Sequence, residues 1–212
     1  MKKISHSAVH RLILYRKLLK IQANAGDDYI YSHNLAQLAG RTPAQVRRDL
    51  MYVAYSGSTV RGYHIAELVK SISMFIDAPT GQGIALVGIG NLGKAILDYT
   101  VGLNPKVEIR AVFDRDPNKI GSVRDGITCY DVNLLEKIID EKNINVAIIS
   151  IPFEGAQTIA DRLIAAGIIG ILNYSSIRLN VPENIYVENR DMMRALEKTA
   201  FLGRYFNNQV MF

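Results

Sequence analysis

The segment "ALVGIGNLGKAI", residues 85–96, constrains the fold of this chain more than any other. It contains an apolar run, a glycine-rich turn and the start of an amphipathic stretch. The turn has the pattern Gly-x-Gly-x-x-Gly and consists of Gly88, Ile89, Gly90, Asn91, Leu92 and Gly93. A buried strand followed by such a turn and a helix is typical of the first unit of a doubly wound sheet.

The three glycines have separate predicted roles. Gly88 permits the tight turn, Gly90 lets a ligand approach the backbone, and Gly93 allows close packing of helix on strand. Free N–H groups and the dipole at the helix N-terminus favour an anion such as pyrophosphate. The segment "AVFDRDP" supplies Asp114, near the spacing expected for an acceptor of ribose hydroxyl groups. The sequence therefore predicts a dinucleotide site, and a carboxylate there favours NAD(H) because it repels a 2′-phosphate.

Apolar runs and helical patterns alternate after Gly83. Four short runs are rich in β-branched residues and bounded by turn residues, namely "IALVGI", "VEIRAVF", "NVAIISI" and "GIIGIL". Helical patterns separate most of them, at about Leu92–Val101, Val132–Lys142 and Glu154–Ala166. Strands that alternate with helices predict an α/β domain with a Rossmann-like, doubly wound parallel sheet.

Helical periodicity dominates the residues before the glycine loop. A first helix is predicted over about Ser7–Asn24, because apolar residues recur on one face. Ser32 is the predicted N-cap of a short helix that Gly40 ends. Thr42 is the predicted cap of a second short helix, which begins with proline. Two short helices joined by a tight glycine turn predict a helix-turn-helix.

The second short helix has a predicted outer face for binding. Val46, Leu50 and Val53 form its inner stripe, whereas Arg47 and Arg48 lie on or beside the opposite face. The following segment "SGSTVRGY" resembles the turn of a β-hairpin, which predicts a winged helix-turn-helix. A last helix is expected at roughly His64–Ile76. In this arrangement the residues expected at DNA are Ser32, Thr42, Gln45, Arg47, Arg48 and Arg61.

The segment "DAPTGQG", residues 77–83, is the predicted domain boundary, because proline and glycine interrupt the pattern there. The sequence predicts a winged helix-turn-helix domain over 1–78 and a Rossmann-like domain over 84–190. A C-terminal helix follows over 191–212, with apolar residues on one face. Packing of this helix on its own sheet is the default expectation.

Positive charge is concentrated before residue 78. That part of the chain contains eleven Lys and Arg against five Asp and Glu, whereas the remainder contains 14 against 15. A solvated surface is one explanation of this asymmetry. A polyanion partner at the N-terminal domain is the other, and the helix-turn-helix pattern favours double-stranded DNA.

Several classes of protein fit the sequence poorly. No apolar run is long enough for a membrane span, and the basic N-terminus is not followed by a signal cleavage site. Cys129 is the only cysteine, which fits a reducing cytoplasm and offers neither a disulfide nor a cysteine metal cluster. All four histidines precede the glycine loop, and there is no Tyr-x-x-x-Lys pair. No catalytic residue and no metal ligand are therefore predicted.

A basic winged helix joined to a dinucleotide fold is typical of regulation. A cofactor that binds one arrangement of the domains more tightly shifts the population between DNA-binding states. This hypothesis makes the cofactor a signal. Two alternatives stay open, an NAD-dependent oxidoreductase and a DNA-binding regulator that responds to another nucleotide ligand such as CoA.

The chain over about residues 5–206 resembles the redox-sensing repressor family called Rex. The matching segments are "RLILYRKLL", "TPAQVRRDL", "VGIGNLGKAILDY", "FDRDPNKIG", "ILNYSSIRLNVPE" and "VENRDM". The resemblance implies a homodimer that binds a palindromic operator when NADH is scarce and releases it when NADH binds. It also implies that the C-terminal helix swaps into the partner subunit.

The resemblance further implies roles for individual residues. The glycine loop and Asp114 would hold the adenosine half of the cofactor, and Tyr99 and Asp191 would lie near the nicotinamide. Arg16 would pair with Asp191 or Tyr99 in one of two states and so link the domains. From the sequence alone, Arg16 reads as a surface cation and Tyr99 as a core aromatic.

The sequence departs from the family pattern at two places. The wing has Thr59 where a basic residue is expected, with Arg61 nearby, and it lacks one glycine. The segment after "ILNY" continues with Ser175 and Ser176, where the family has Ala-Pro. Operator preference and the discrimination between NADH and NAD⁺ therefore do not transfer directly from the family.

Overall fold

A computed structural model describes residues 4–102 and 106–209 of the chain. It divides into two compact units, residues 1–79 and 80–212. The start of the predicted N-terminal domain, residues 1–3, and the end of the predicted C-terminal helix, residues 210–212, lie outside the described residues.

The first unit is mainly helical. In chain order its elements are α1 (His6–Asn24), β1 (Tyr29–Ile30), α2 (Ser32–Ala39), α3 (Pro43–Leu50), β2 (Tyr63–His64) and α4 (Ile65–Ile76). A short 3-10 turn, Met51–Val53, extends α3. β1 and β2 pair antiparallel, and an isolated bridge from Ser58 to Gly62 closes the turn before β2.

The helix-turn-helix arises from local signals in the sequence. Gly40 ends α2 in the left-handed region, with φ of +61°, and Thr42 accepts a hydrogen bond from the N–H of Gln45 as the N-cap of α3. Val46 and Leu50 of α3 are buried in one cluster with Leu12 of α1. The predicted cap at Ser32 is wrong, because Tyr31 is the N-cap residue and Ser32 is the first residue of α2.

The second unit contains a seven-stranded sheet. Its strands are β3 (Gln82–Val87), β4 (Val107–Asp114), β5 (Val123–Arg124), β6 (Ile127–Asp131), β7 (Ile144–Ile149), β8 (Gly170–Asn173) and β9 (Tyr186–Asn189). Its helices are α5 (Asn91–Thr100), α6 (Leu135–Glu141), α7 (Phe153–Ala165) and α8 (Met192–Gln209).

The strand order is β5-β6-β4-β3-β7-β8-β9, and every neighbouring pair except β5 and β6 is parallel. The chain adds β4 and β6 on one side of β3 and then crosses back to place β7 on the other. This order is that of a doubly wound dinucleotide-binding fold, which confirms the predicted fold class.

β3 lies at the centre of the sheet and is buried on both faces. Ile84 and Leu86 belong to one apolar cluster, whereas Ala85 and Val87 belong to another on the opposite face. This alternation follows from the two-residue repeat of a strand. It also explains why "IALV" is continuously apolar, since strands of parallel sheets are covered by helices on both faces.

The helix α8 leaves its apolar side chains in solvent. Met192, Met193, Leu196, Phe201, Tyr205 and Phe206 are between 47% and 64% exposed. The default expectation that these side chains pack on their own sheet is therefore wrong. Among the described residues, no helix is both long and apolar enough to span a bilayer.

Candidate functional site

The glycine loop joins β3 to α5. Gly88 has φ of +96°, and a Cβ atom there would lie 2.8 Å from the carbonyl oxygen of Ser150. A Cβ atom at Gly93 would lie 2.0 Å from the carbonyl oxygen of Gly88. Nothing lies within 4 Å of a Cβ atom built at Gly90. The fold therefore requires Gly88 and Gly93, whereas the space beside Gly90 is open to a ligand.

Ser150 follows β7 and braces this loop. Its backbone N–H donates to the carbonyl of Val87 at 2.9 Å, and its Oγ lies 2.8 Å from the carbonyl oxygen of Gly88. These contacts join the end of β7 to the glycine turn. Ser150 was missed by the sequence analysis, because a serine after an apolar run carries no distinctive signal.

Asp114 ends β4 and is 9% exposed. Its Oδ2 accepts from the N–H of Ile89 at 2.9 Å and from Nζ of Lys119 at 3.1 Å, and its Oδ1 accepts from the N–H of Asp116 at 3.0 Å. Burial alone would raise the pKa of this carboxyl, but the hydrogen bonds from Asp116, Ile89 and Lys119 outweigh it and lower the pKa. The carboxylate is therefore ionised and held in one direction beside the glycine loop.

A cavity of about 700 Å³ opens at the carboxyl ends of β3, β4 and β7. This is the point where the strand order reverses, at which doubly wound sheets bind ligands. Its lining joins the glycine loop to the ends of the neighbouring strands, and it includes Gly88, Gly90, Asp114, Arg115, Ser150 and Pro152. An open glycine at an uncapped helix N-terminus and an ionised acceptor fit the pyrophosphate and ribose of a dinucleotide.

Tyr99 and Asp191 lie outside the lining of this cavity. Tyr99 is in the last turn of α5 and is 74% exposed, so its reading as a core aromatic is wrong. Asp191 directly precedes α8, and its carboxylate accepts from the N–H of Arg194 at 2.9 Å. Asp191 thus caps α8, a role that the sequence analysis did not assign.

Arg16 of α1 pairs within the first unit. Its Nη1 lies 2.6 Å from Oδ1 of Asp77 and 3.4 Å from Oγ of Ser73, at the end of α4. The side chain is 14% exposed, so the reading as a free surface cation is wrong. Its predicted pairing with Asp191 or Tyr99 stays a prediction.

The helix-turn-helix presents two arginines. Arg47 and Arg48 are exposed on α3, and Nη1 of Arg47 donates to Oγ of Ser32 at 3.1 Å. This contact joins the N-terminal turn of α2 to the outer face of α3. Thr42 is also exposed at the N-terminus of α3. Arg47 and Arg48 therefore add positive charge to the surface of the motif, and Ser32 and Thr42 place hydroxyl groups at the N-termini of its two helices.

Asp49 is the buried anchor of α3 and was missed by the sequence analysis. It is 1% exposed and accepts two hydrogen bonds from Arg11, at 2.6 and 2.7 Å. Tyr15 donates to it at 3.0 Å and Gln45 at 2.9 Å. Burial would raise the pKa of Asp49, but the bonds from Arg11, Tyr15 and Gln45 outweigh it and lower the pKa. The cluster ties α3 to α1 through one ionised carboxylate.

The wing is a short turn closed by two backbone bonds between Ser58 and Gly62, at 2.7 and 2.9 Å. Ser58 Oγ also accepts from the N–H groups of Val60 and Arg61. Thr59 and Arg61 are exposed at this turn. Arg61 is therefore the cation that the wing presents.

Two family models match the chain. The model described as "CoA binding domain" matches residues 80–177, and the one described as "Putative DNA-binding protein N-terminus" matches residues 3–50. The matched segments cover the glycine loop and cavity in one unit and the helix-turn-helix in the other.

Curated relatives match nearly the whole chain. A protein of Listeria welshimeri named redox-sensing transcriptional repressor Rex is 34% identical over 96% of this chain and 95% of its own length. Rex proteins of Bacillus licheniformis and Syntrophobacter fumaroxidans are 34% and 35% identical, over 98% and 94% of this chain and 96% and 95% of their own.

Solved structures match the fold end to end. A crystal structure of RSP with beta-NAD⁺ and operator DNA has a TM-score of 0.89 and 28% identity, and it covers 100% of this chain and 96% of that one. RSP with beta-NADH has a TM-score of 0.85 at the same identity, covering 100% and 98%. Free RSP is described as a Rex-family repressor. With relatives above 30% identity along almost its full length, the chain belongs to the Rex family of redox-sensing transcriptional repressors.

Proposed function

We propose that this chain is a repressor that binds palindromic operator DNA and is released when NADH binds. The observation that carries the proposal is the pairing of an arginine-bearing helix-turn-helix with a dinucleotide cavity in one chain of the Rex family. RSP, which this chain matches throughout, has been solved with beta-NAD⁺ and operator DNA and with beta-NADH. Such a regulator acts in the cytoplasm, beside the bacterial chromosome.

The proposed cofactor is NADH or NAD⁺. The pyrophosphate would lie at the open backbone of Gly90 and the N-terminus of α5, and Asp114 would accept from the adenosine ribose. The proposed contacts of the cofactor are Gly88, Ile89, Gly90, Asn91, Leu92, Gly93, Tyr99, Asp114 and Asp191. The geometry of the loop, with its open position at Gly90, supports this assignment.

The dinucleotide is proposed as a signal and not as a reagent, so the chain is not an enzyme. Hydride transfer needs a proton donor or acceptor beside the nicotinamide. The histidines all lie in the first unit, and no histidine or cysteine is in the cavity lining. The one lysine of the lining, Lys119, donates to Asp114. The Rex relatives are named as transcription regulators.

The DNA contacts are proposed on α2, α3 and the wing. Arg47 and Arg48 would enter the major groove, where a bidentate arginine contact selects guanine. Ser32 and Thr42 would hold phosphates near helix N-termini, and Arg61 would approach the minor groove. Arg16 is the proposed switch, which would exchange Asp77 for a partner near the nicotinamide.

The proposed assembly is a homodimer formed through α8. The apolar side chains of this helix are exposed in the single chain, and burial of a patch of this kind is the usual reason for association. A two-fold dimer also matches the symmetry of a palindromic operator.

Fluorescence anisotropy of a labelled operator tests the proposal. The operator is first selected from random DNA with the full-length protein and then held with it at fixed salt, because the affinity depends on salt. NADH is expected to lower the anisotropy to that of the free operator, whereas NAD⁺ and CoA at equal concentration leave it nearly unchanged. Unchanged anisotropy at millimolar NADH, or release by CoA instead, would contradict the proposal.

The variant Arg47→Ala tests the DNA half of the proposal. We expect operator binding weaker by about 1–3 kcal/mol and a relaxed preference for the base that the arginine reads. An equal loss on random DNA would show that Arg47 holds a phosphate. Lys142→Ala, a change on the second unit beside the Tyr130 ring, is the control and leaves binding unchanged.

A further inference from the structure

Gln45 lies at the edge of the exposed face of α3. It is the third residue of the helix and is half-buried, next to the exposed Arg48 one turn further on. Its Nε2 donates to Oδ1 of Asp49, four residues along the helix, at 2.9 Å. The amide therefore contacts a buried carboxylate with one end and has its other end free to point elsewhere.

The direction of this amide is fixed by the chemistry of Asp49. An ionised carboxylate accepts hydrogen bonds only, so the nitrogen of Gln45 and not its oxygen must face it. The carboxylate stays ionised, because two bonds from Arg11 and one from Tyr15 stabilise the charge. An amide flip would bring Oε1 against Oδ1 of Asp49 and is excluded by repulsion between the two acceptors.

The oxygen of Gln45 is left as an available acceptor. Within the described part of the chain, Oε1 of Gln45 accepts no hydrogen bond. This oxygen is not one of the fully buried atoms without a partner, so it is accessible to a donor from outside the chain. The first residues of a recognition helix are those that reach base edges in the major groove. The groups there that donate are the exocyclic amino groups of adenine (N6) and cytosine (N4).

We infer that Gln45 reads an exocyclic amino group in the major groove through its amide oxygen, and that Asp49 is the positioning residue that orients the amide. The contact is a single acceptor contact, in contrast to the two-point pairing by which a freely rotating glutamine reads adenine. This inference rests on the proposed operator binding and adds the base chemistry that one side chain selects.

Base analogues in the selected operator test the contact. Purine in place of adenine, or pyrimidin-2-one in place of cytosine, removes the amino group, and 7-deazaadenine removes only N7. At one position of each half-site, loss of the amino group is expected to weaken wild-type binding about three- to tenfold. Gln45→Met, which keeps the length of the side chain but has no acceptor, is expected to show no such penalty.

Two outcomes would overturn the inference. Equal penalties in the wild type and Gln45→Met at every position would show that Gln45 reads no amino group. A penalty for 7-deazaadenine that appears only in the wild type would show two-point reading of adenine.

Matched variants of the cluster test the role of Asp49. Asp49→Asn frees the amide of Gln45 to flip, whereas Tyr15→Phe removes another partner of the same carboxylate and leaves the Gln45 contact intact. Both are expected to lower stability, but only Asp49→Asn should shrink the penalty for the missing amino group. If the missing amino group weakens binding equally in Asp49→Asn and Tyr15→Phe, Asp49 does not orient the amide of Gln45. If Asp49→Asn does not fold, Gln45→Met decides the base contact, and 7-deazaadenine decides the role of Asp49, because an amide that Asp49 does not orient would also contact N7 of adenine.

Failure of the inference is distinguishable from failure of the proposed function. A chain that binds no selected operator contradicts the proposed function itself. A chain that binds an operator and releases it with NADH, but shows no difference between the wild type and Gln45→Met, contradicts only the inference.

Discussion

In each unit one buried aspartate among the described residues is held ionised by its hydrogen bonds, but the two carboxylates have different kinds of partner. Asp49 of the first unit is 1% exposed and has four side-chain hydrogen bonds, two of them from Arg11. Asp114 of the second unit is 9% exposed, has two backbone partners and Lys119, and lines a cavity of about 700 Å³.

The difference shows how surroundings assign a role to one chemical group. All the hydrogen bonds to the carboxylate of Asp49 come from side chains of α1 and α3, so it holds α3 against α1. In the proposed complex it affects DNA only through the orientation of Gln45. The carboxylate of Asp114 is oriented mainly by backbone N–H groups at the end of a strand, so the part that faces the cavity is available to a ligand. The pKa values of Asp49 and Asp114 are both lowered, so the pKa alone would not show which carboxylate holds the fold and which faces the cavity.

The largest expected effect comes from removal of the cation beside Asp49. Arg11→Met leaves a buried carboxylate without its charged partner, and we expect the first unit to lose about 3–5 kcal/mol of unfolding free energy. Hydrogen exchange read separately over residues 5–76 and 82–190 gives the stability of each unit. Arg124→Met breaks an equally short but exposed pair with Asp98 and should cost less than about 1 kcal/mol. A similar loss in both variants would contradict the fastening role of Asp49.

In the second unit, the glycine loop is expected to be most sensitive at Gly93. Gly93→Ala places a methyl group 2.0 Å from the carbonyl oxygen of Gly88, so we expect a loss of about 3 kcal/mol of unfolding free energy in this unit. Gly90→Ala meets nothing within 4 Å and should keep the stability while it weakens NADH binding. Calorimetric unfolding with a parallel NADH titration separates the two variants. Equal stability losses would show that the loop has no open position.

Asp114→Asn tests the ligand-facing carboxylate. The variant removes a charged acceptor, and we expect NADH affinity to fall by about 2 kcal/mol, with a smaller loss of stability than in Arg11→Met. NADH fluorescence measures the affinity. Asp131→Asn is the matched control, since Asp131 pairs in register with Asp114 on the adjacent strand. Its carboxylate accepts from the backbone N–H of Asn133 and does not line the cavity. An equal loss of affinity in the control would contradict the role of Asp114.

The smallest expected effect is an alkaline loss of stability in the first unit. Burial and the hydrogen bond to Asp49 raise the pKa of Tyr15 to about 12. Because the folded state binds this proton more tightly than the unfolded state does, the stabilisation is present below pH of about 10 and is lost as the pH rises toward 12. We expect a loss of about 1–2 kcal/mol between pH 9 and 11.5 by urea unfolding.

Tyr15→Phe should remove this alkaline dependence, whereas Tyr55→Phe should keep it. Tyr55 donates to the exposed carboxylate of Glu67, so its removal leaves the Asp49 cluster intact. A profile that is unchanged in Tyr15→Phe would assign the alkaline loss to another group.

Local signals made much of the fold predictable. The bounds of α1, α4, α5 and α7 were predicted to within about one residue, because apolar stripes and turn residues mark them in the sequence. Of the seven-stranded sheet, the sequence analysis predicted β3, β4, β7 and β8 but missed β5, β6 and β9. β6, which contains Cys129, is short and only partly apolar, and β9 is a polar strand at the edge of the sheet. Both are held in place by neighbouring strands, which no local pattern encodes.

The site was predictable where backbone geometry requires one residue type. Gly88 and Asp114 follow from the pattern of the turn and the end of a strand. The Asp49 cluster was not predictable, because Arg11 and Asp49 are 38 positions apart and only the packing of α1 on α3 brings them together. The same reason hides Ser150, whose contact with Gly88 depends on the crossover that places β7 beside β3.

The three glycines of the loop have a consequence for the divergence of this fold. Substitution at Gly88 or Gly93 is opposed by the backbone of the domain itself, whereas a Cβ atom at Gly90 meets no protein atom and would be opposed only by the proposed ligand. A lineage that stopped sensing a nucleotide would therefore keep the first and third glycines and lose the second by drift. In descendants of this domain, the middle glycine would thus distinguish proteins that still bind the nucleotide from proteins that have kept the fold but lost the ligand.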